Sequence, residues 1–145
     1  MENYMKQALE CAELAYEKNE VPIGAVVVQD GKIIGRGYNT REIDNDITGH
    51  AEIHALKQAA SFLKTWKLDD CQLYVTVKPC LMCYSAIEQS RIKTIYYGTD
   101  QYAFKKRAFD TLIDDSSIEM IGPILETECQ KLMKDFFGRM RNGNN

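Results

Sequence analysis

The chain has 145 residues, of which 45% are hydrophobic and 27% charged, with a formal net charge of −3. That length closes a hydrophobic core without disulfide staples, and the composition excludes a disordered or fibrous chain. The acidic balance excludes a surface that is basic all over, so any grip on nucleic acid has to come from a local basic patch.

No apolar run approaches the roughly 20 residues of a membrane-spanning helix. The opening MENYMKQALECAELAYEKNE lacks the basic-then-apolar order of a secretory leader. The expectation is one domain over 1–145, cytoplasmic, with no membrane partner and with its thiols reduced. The five cysteines Cys11, Cys71, Cys80, Cys83 and Cys129 are an odd number, which argues against a disulfide framework.

Met5, Leu9, Ala12 and Tyr16 recur at three- and four-residue steps and predict an amphipathic helix over 2–19. VPIGAVVVQ and KIIGRGYN, separated by Asp30-Gly31, predict a β-hairpin. TREIDNDITG, 40–49, is polar and unpatterned and reads as a loop. A helix is expected from about His50, through Ala55, Leu56, Ala59 and Leu63. QLYVTVK, 72–78, alternates as a strand does. Pro79 ends it and suits the first position of a helix over about 80–90. IKTIYYG predicts another strand, 101–117 a loop and short helix, SIEMIGPI a short strand, and ETECQKLMKDFFGRM a closing amphipathic helix. Helices alternating with strands after a hairpin predict an α/β fold: a mixed sheet of about five strands with helices on both faces. Ligand sites in such sheets gather at strand ends and helix N-termini.

Two motifs fall at such places, HAEIH at 50–54 and PCLMC at 79–83. Cys80 and Cys83 are three apart in a first helical turn, so their sulfurs share a face. The helix N-terminus favours thiolate there. A lone C-x-x-C also suits a redox dithiol or two buried cysteines, but a His-x-Glu at a second helix start points to metal. Two thiolates and an imidazole suit zinc. With His54 as fourth ligand the site is closed and structural, which leaves Glu52 without a role. With His50, Cys80 and Cys83 alone, one position stays open for a water whose pKa the metal lowers, and Glu52 can move its protons. His50 and Glu52, two apart, do not share a helix face, so His50 is expected at the helix boundary.

The HAE and PCLMC motifs resemble the zinc-dependent cytidine/deoxycytidylate deaminase superfamily. Within it the chain is most similar to the bacterial tRNA-specific adenosine deaminases, through VPIGAVVV (21–28), GYN (37–39), TGHAEIHAL (48–56), LYVTVKPCLMC (73–83), SRI (90–92), YYGTD (96–100) and ILETECQKLMKDFF (124–137). The resemblance implies a three-layer α/β/α fold and one zinc per chain on His50, Cys80 and Cys83, with Glu52 as proton shuttle. It further implies a homodimer that converts the wobble adenosine of tRNA to inosine, with Asn39 and the Ala51 N–H contacting the base. From sequence alone, without the resemblance, Asn39 reads as an ordinary turn residue closing its strand. The chain departs from the family at Lys78, where a Glu is usual, at Tyr84-Ser85, where Ala-Gly is usual, and in QYAFKKRAF, 101–109. In that last segment Phe104 and Phe109 beside Lys105, Lys106 and Arg107 are candidate stacking, phosphate or pocket-lid contacts. Deamination of a free base or nucleoside (guanine, cytosine or a modified purine) is the alternative, and a non-catalytic zinc-binding interaction protein the second.

Overall fold

The computed structural model describes residues 1–100 and 117–143. The elements are α1 (Glu2–Glu17), β1 (Gly24–Gln29), β2 (Lys32–Tyr38), α2 (Ala51–Leu63), β3 (Cys71–Val77), α3 (Leu81–Gln89), β4 (Thr94–Thr99), β5 (Glu119–Ile121) and α4 (Glu126–Arg141). The expected order is present throughout the described residues, with ends displaced by a residue or two. The short helix expected within 101–117 lies outside them.

Asp30 and Gly31 both have positive φ, 51° and 77°, as the two-residue turn of a twisted hairpin requires. This turn sets the antiparallel β1–β2 register from Gln29↔Lys32 to Gly24↔Tyr38, with one bulge at Val27/Val28. β1 also pairs antiparallel with β3, while β3, β4 and β5 run parallel. The sheet is five-stranded in the order β2-β1-β3-β4-β5, the mixed sheet expected.

Two apolar layers flank it. On one face Ala25, Val27, Leu73, Val75 and Ile95 pack with Ala51, Ala55 and Ala59 of α2 and with Tyr84 and Ile87 of α3. On the other, Val26, Val28 and Tyr74 pack with Met5, Ala8 and Cys11 of α1 and with Cys129 of α4. β1 is covered on both sides, which explains why it reads as an unbroken apolar run rather than an alternating one. The architecture is the three-layer α/β/α sandwich.

The buried stripe of α1 is rotated from its predicted position. Met5, Ala8, Cys11, Ala12 and Ala15 are buried, while Leu9 and Tyr16 are half-buried. Close approach is the reason: a Cβ on Gly24 would stand 2.0 Å from the Ala8 carbonyl and 2.5 Å from the Ala12 nitrogen. Small residues face the sheet so that the backbones nearly touch, and bulkier ones fill the flanks. The same device seats α2 on β2, where a Cβ on Gly37 would lie 2.2 Å from the Ala51 carbonyl. That contact fixes the start of α2 over the end of β2. α3 leaves the end of β3 beside it, so the two helix N-termini converge.

Candidate active site

His50 is the residue before the first turn of α2, with φ −83° and ψ 154°. Its extended backbone frees its side chain from the helix faces, as the spacing to Glu52 requires. Cys80 occupies the equivalent place before α3, with φ −71° and ψ 174°. Here the sequence reading is corrected by one or two residues. Pro79 is not the first helical residue; the chain stays extended beyond β3, with the Lys78 N–H still bonded to the Thr99 carbonyl at 2.9 Å, and the helix begins at Leu81.

His50 Nδ1 stands 3.7 Å from Cys80 Sγ and 3.4 Å from Cys83 Sγ. One ligand atom from each of the three lies within 4.8 Å of the others. Cys83 is buried, and His50 and Cys80 are half-buried, which leaves one side of the group approachable. As a proton-binding cluster the three share charge unequally. Cys80 is pulled down to about 4, first by the hydrogen bond from the Cys83 thiol, with His50 assisting and burial opposing. Cys83 is raised, first by that same bond to Cys80 and then by its burial. The His50 imidazole is raised by its hydrogen bond to Cys80; burial and the Arg41 charge act against it. A poised thiolate, a second sulfur and an imidazole, converging from two helix starts, are a donor set that fits a borderline-soft divalent ion.

Glu52, 4% exposed, lies in the first turn of α2. Burial pushes its carboxyl up to about 7, with the His50 charge, its own backbone N–H and a hydrogen bond with Cys83 acting the other way. It is a carboxyl that can hold or release a proton near neutral pH, set against the sulfur cluster.

His54 does not join them. Its Nε2 is 2.7 Å from Thr40 Oγ1, whose hydroxyl donates to Asp44 Oδ2 at 2.7 Å. One turn of helix carries it to the loop side, so the four-ligand clamp is not assembled among the described residues.

Asn39 is 6% exposed. Its Nδ2 donates to the Val21 carbonyl at 3.3 Å and its Oδ1 accepts from the Arg41 N–H at 3.1 Å. It closes β2, and its amide retains one further donor and acceptor position. Ala51 is fully buried. Its N–H belongs to the first helical turn, where no intrahelical carbonyl is in reach. Lys78 lies over the Tyr97 ring at 4.6 Å and pairs with Asp100 at 3.7 Å. Tyr84 is 4% exposed and fills the layer between α3 and the sheet. Phe104, Lys105, Lys106, Arg107 and Phe109 lie outside the described residues.

Sequence reasoning missed Glu20, a carboxylate 1% exposed that binds the loop before His50. The available signal was an acidic residue directly ahead of the apolar VPIG run.

The fold, shared with a solved tRNA:A34 deaminase structure, and the three-donor group at two helix starts fit a hydrolytic deaminase of the cytidine-deaminase class. The chain belongs to the MafB19-like deaminase family, whose model matches residues 1–141. The tRNA-specific adenosine deaminase of Buchnera aphidicola subsp. Baizongia pistaciae is 40% identical over 143 residues, covering 95% of this chain and 88% of the relative. That of Bacillus subtilis is 37% identical over 147 residues, covering 97% and 90%. Among solved structures, one from a study of A-to-I editing by tRNA:A34 deaminases at the wobble position superposes with a TM-score of 0.80 and 35% identity, over 90% of this chain and 98% of that one. Guanine deaminase from Bacillus subtilis superposes with a TM-score of 0.64 and 39% identity, over 68% of this chain and 63% of that one.

Proposed function

We propose that this protein deaminates adenosine to inosine in tRNA, at the wobble position, by zinc-dependent hydrolysis. The observation that carries the chemistry is the meeting of His50, Cys80 and Cys83 within 4.8 Å beside the buried carboxyl of Glu52. The substrate is supported by relatives of that name at 37–41% identity over nearly the whole chain.

One zinc per chain would be held by His50 Nδ1 and the two sulfurs; when bound, it supplies Lewis-acid activation of water. The chain's own residues do the rest. Glu52 takes a proton from the attacking water and returns it to the purine ring nitrogen. The same carboxylate then takes the remaining proton from the hydroxyl newly bonded to the ring carbon and delivers it to the amine, so that the C–N bond breaks, water is consumed and ammonia is released. Buried beside the cluster, this carboxyl is placed to both accept and donate a proton. Asn39 and the Ala51 N–H orient the base edge. The half-buried side of the cluster, at His50 and Cys80, admits the base, and Cys83 lies buried away from solvent. The protein acts as a cytoplasmic homodimer in this reading. No helix of the described residues is long and apolar enough to cross a membrane.

Hydrolysis of a free base is the second reading, favoured by the likeness to the Bacillus subtilis guanine deaminase and by the net charge of −3. Incubation with total tRNA and, separately, with a panel of bases and nucleosides decides between them. Inosine at the wobble position with ammonia release supports the first. Ammonia from a free base and none from tRNA supports the second.

A further inference from the structure

We propose that Glu20 is a positioning residue for base recognition, a buried carboxylate that fixes the loop between Asn39 and His50 by taking two of its backbone N–H groups; the proposal rests on the deaminase reading above. A carboxylate that is 1% exposed is rare without a partner. Among the described residues Glu20 has no cation in ion-pair range. It accepts instead from the Glu42 N–H at 3.2 Å through Oε1 and from the Ile43 N–H at 2.7 Å through Oε2. Both oxygens are used, on consecutive amides of one loop.

The segment after Glu20 grips the same loop at its root. The Ile23 carbonyl accepts from the Asn39 N–H at 3.2 Å, and the Val21 carbonyl accepts from Asn39 Nδ2 at 3.3 Å. Arg41 then donates its N–H to Asn39 Oδ1 at 3.1 Å, so the amide plane of Asn39 is tied to residues on both sides. At the far end the Thr40 N–H donates to the Gly49 carbonyl at 2.9 Å. A Cβ on Gly49 would sit 3.2 Å from the Arg41 Cα, so the residue before His50 packs against the clamped stretch. A shift of residues 41–43 therefore moves the Asn39 amide through the Arg41 N–H bond and disturbs the residue before His50 through the contact of Arg41 with Gly49.

Closing the loop does not itself need a charge. The loop has internal turns, with the Asp44 N–H on the Thr40 carbonyl at 2.9 Å, the Asp46 N–H on the Arg41 carbonyl at 3.0 Å and the Thr48 N–H on Asp46 Oδ1 at 2.9 Å. What the buried carboxylate adds is position: the loop is clamped against the end of α1, with Asn39 on the near side of the clamp.

The test is a double-mutant cycle on metal-loaded protein, with activity normalised to metal content. Glu20→Gln keeps the shape but turns one acceptor into an amide that faces a donor. Loss of one charge-assisted hydrogen bond predicts a fall in kcat/KM on tRNA of about tenfold or more, with bound metal unchanged. In an Asn39→Ala background the same change is expected to cost less than about threefold, because it acts through Asn39. Glu20→Asp, with both oxygens on a shorter arm, recovers part of the loss. A purely structural role predicts losses that multiply with Asn39→Ala, and that result overturns the proposal. So does Glu20→Gln activity within about twofold of wild type. If Glu20→Gln does not fold, Glu20→Asp enters the same cycle with the same criteria. A wild-type protein that deaminates nothing sinks the deaminase reading and this proposal together, whereas an active wild type with an equally active variant sinks the proposal alone.

Discussion

Replacing Glu52 by Gln removes a titratable proton carrier at nearly constant volume. Glu52 lies buried against the sulfur cluster, and His54 is turned away onto Thr40, so it offers no substitute. Each positioned proton transfer is worth roughly 10²–10⁴ in rate, and in the proposed mechanism one carboxyl serves both the incoming water and the departing amine. The expected loss in kcat is about 10⁴ or more, or roughly 5 kcal/mol of barrier. Folding should not suffer. Burial holds Glu52 up at about 7 against an ordinary 4.5. In metal-stripped protein its favourable contribution is thus complete below the ordinary value and is lost as pH rises through about 7. Gln does not titrate, so the variant should melt no lower than wild type at pH 8. The assay is inosine formation and ammonia release with metal content measured on the same sample. Activity within tenfold of wild type, at equal metal loading, refutes the assignment of Glu52 as proton shuttle.

The metal centre is tested by elemental analysis: His54→Ala should retain about one zinc per chain, while His50→Ala, Cys80→Ala and Cys83→Ala should lose metal and activity together. Retention of zinc by any of these last three would break the three-donor assignment. Gly37→Ala sets a Cβ 2.2 Å from the Ala51 carbonyl and 2.7 Å from the Ala55 nitrogen, both backbone, so α2 has to move. Thermal melting should show a loss of about 3 kcal/mol or roughly 10 °C, and an unchanged melting point would contradict the close packing of α2 on β2. Changing Lys105, Lys106 and Arg107 together to Ala should weaken tRNA binding at moderate salt and lower the slope of log K against log salt by roughly 2 if all three meet phosphate. An unchanged slope removes these residues from the RNA interface.

The sequence by itself determined what depends on near neighbours. Asp30-Gly31 dictated the hairpin turn because only residues tolerant of positive φ make it. The β-branched run VPIGAVVVQ marked a strand of that hairpin, and Pro79 marked the end of β3. The His-x-Glu and Cys-x-x-Cys spacings, each at a helix start, named the candidate ligands, because a residue at a helix boundary can point where a helical residue cannot. What joined them required the sheet. His50 and Cys83 are 33 positions apart and meet because β1 pairs with both β2 and β3, which places the start of α2 beside the start of α3. Tertiary structure alone chose between His54 as a fourth donor and His54 as a partner of Thr40, since both fit an i, i+4 spacing and only the position of the 40–49 loop separates them. The rotated stripe of α1 had the same origin: Gly24 lets the helix backbone approach, and the depth of that approach decides which residues count as buried. Glu20 was the least legible of all. A glutamate at the end of a helix is ordinarily solvated, and its burial follows from two amides 22 and 23 residues away that only the folded chain brings to it.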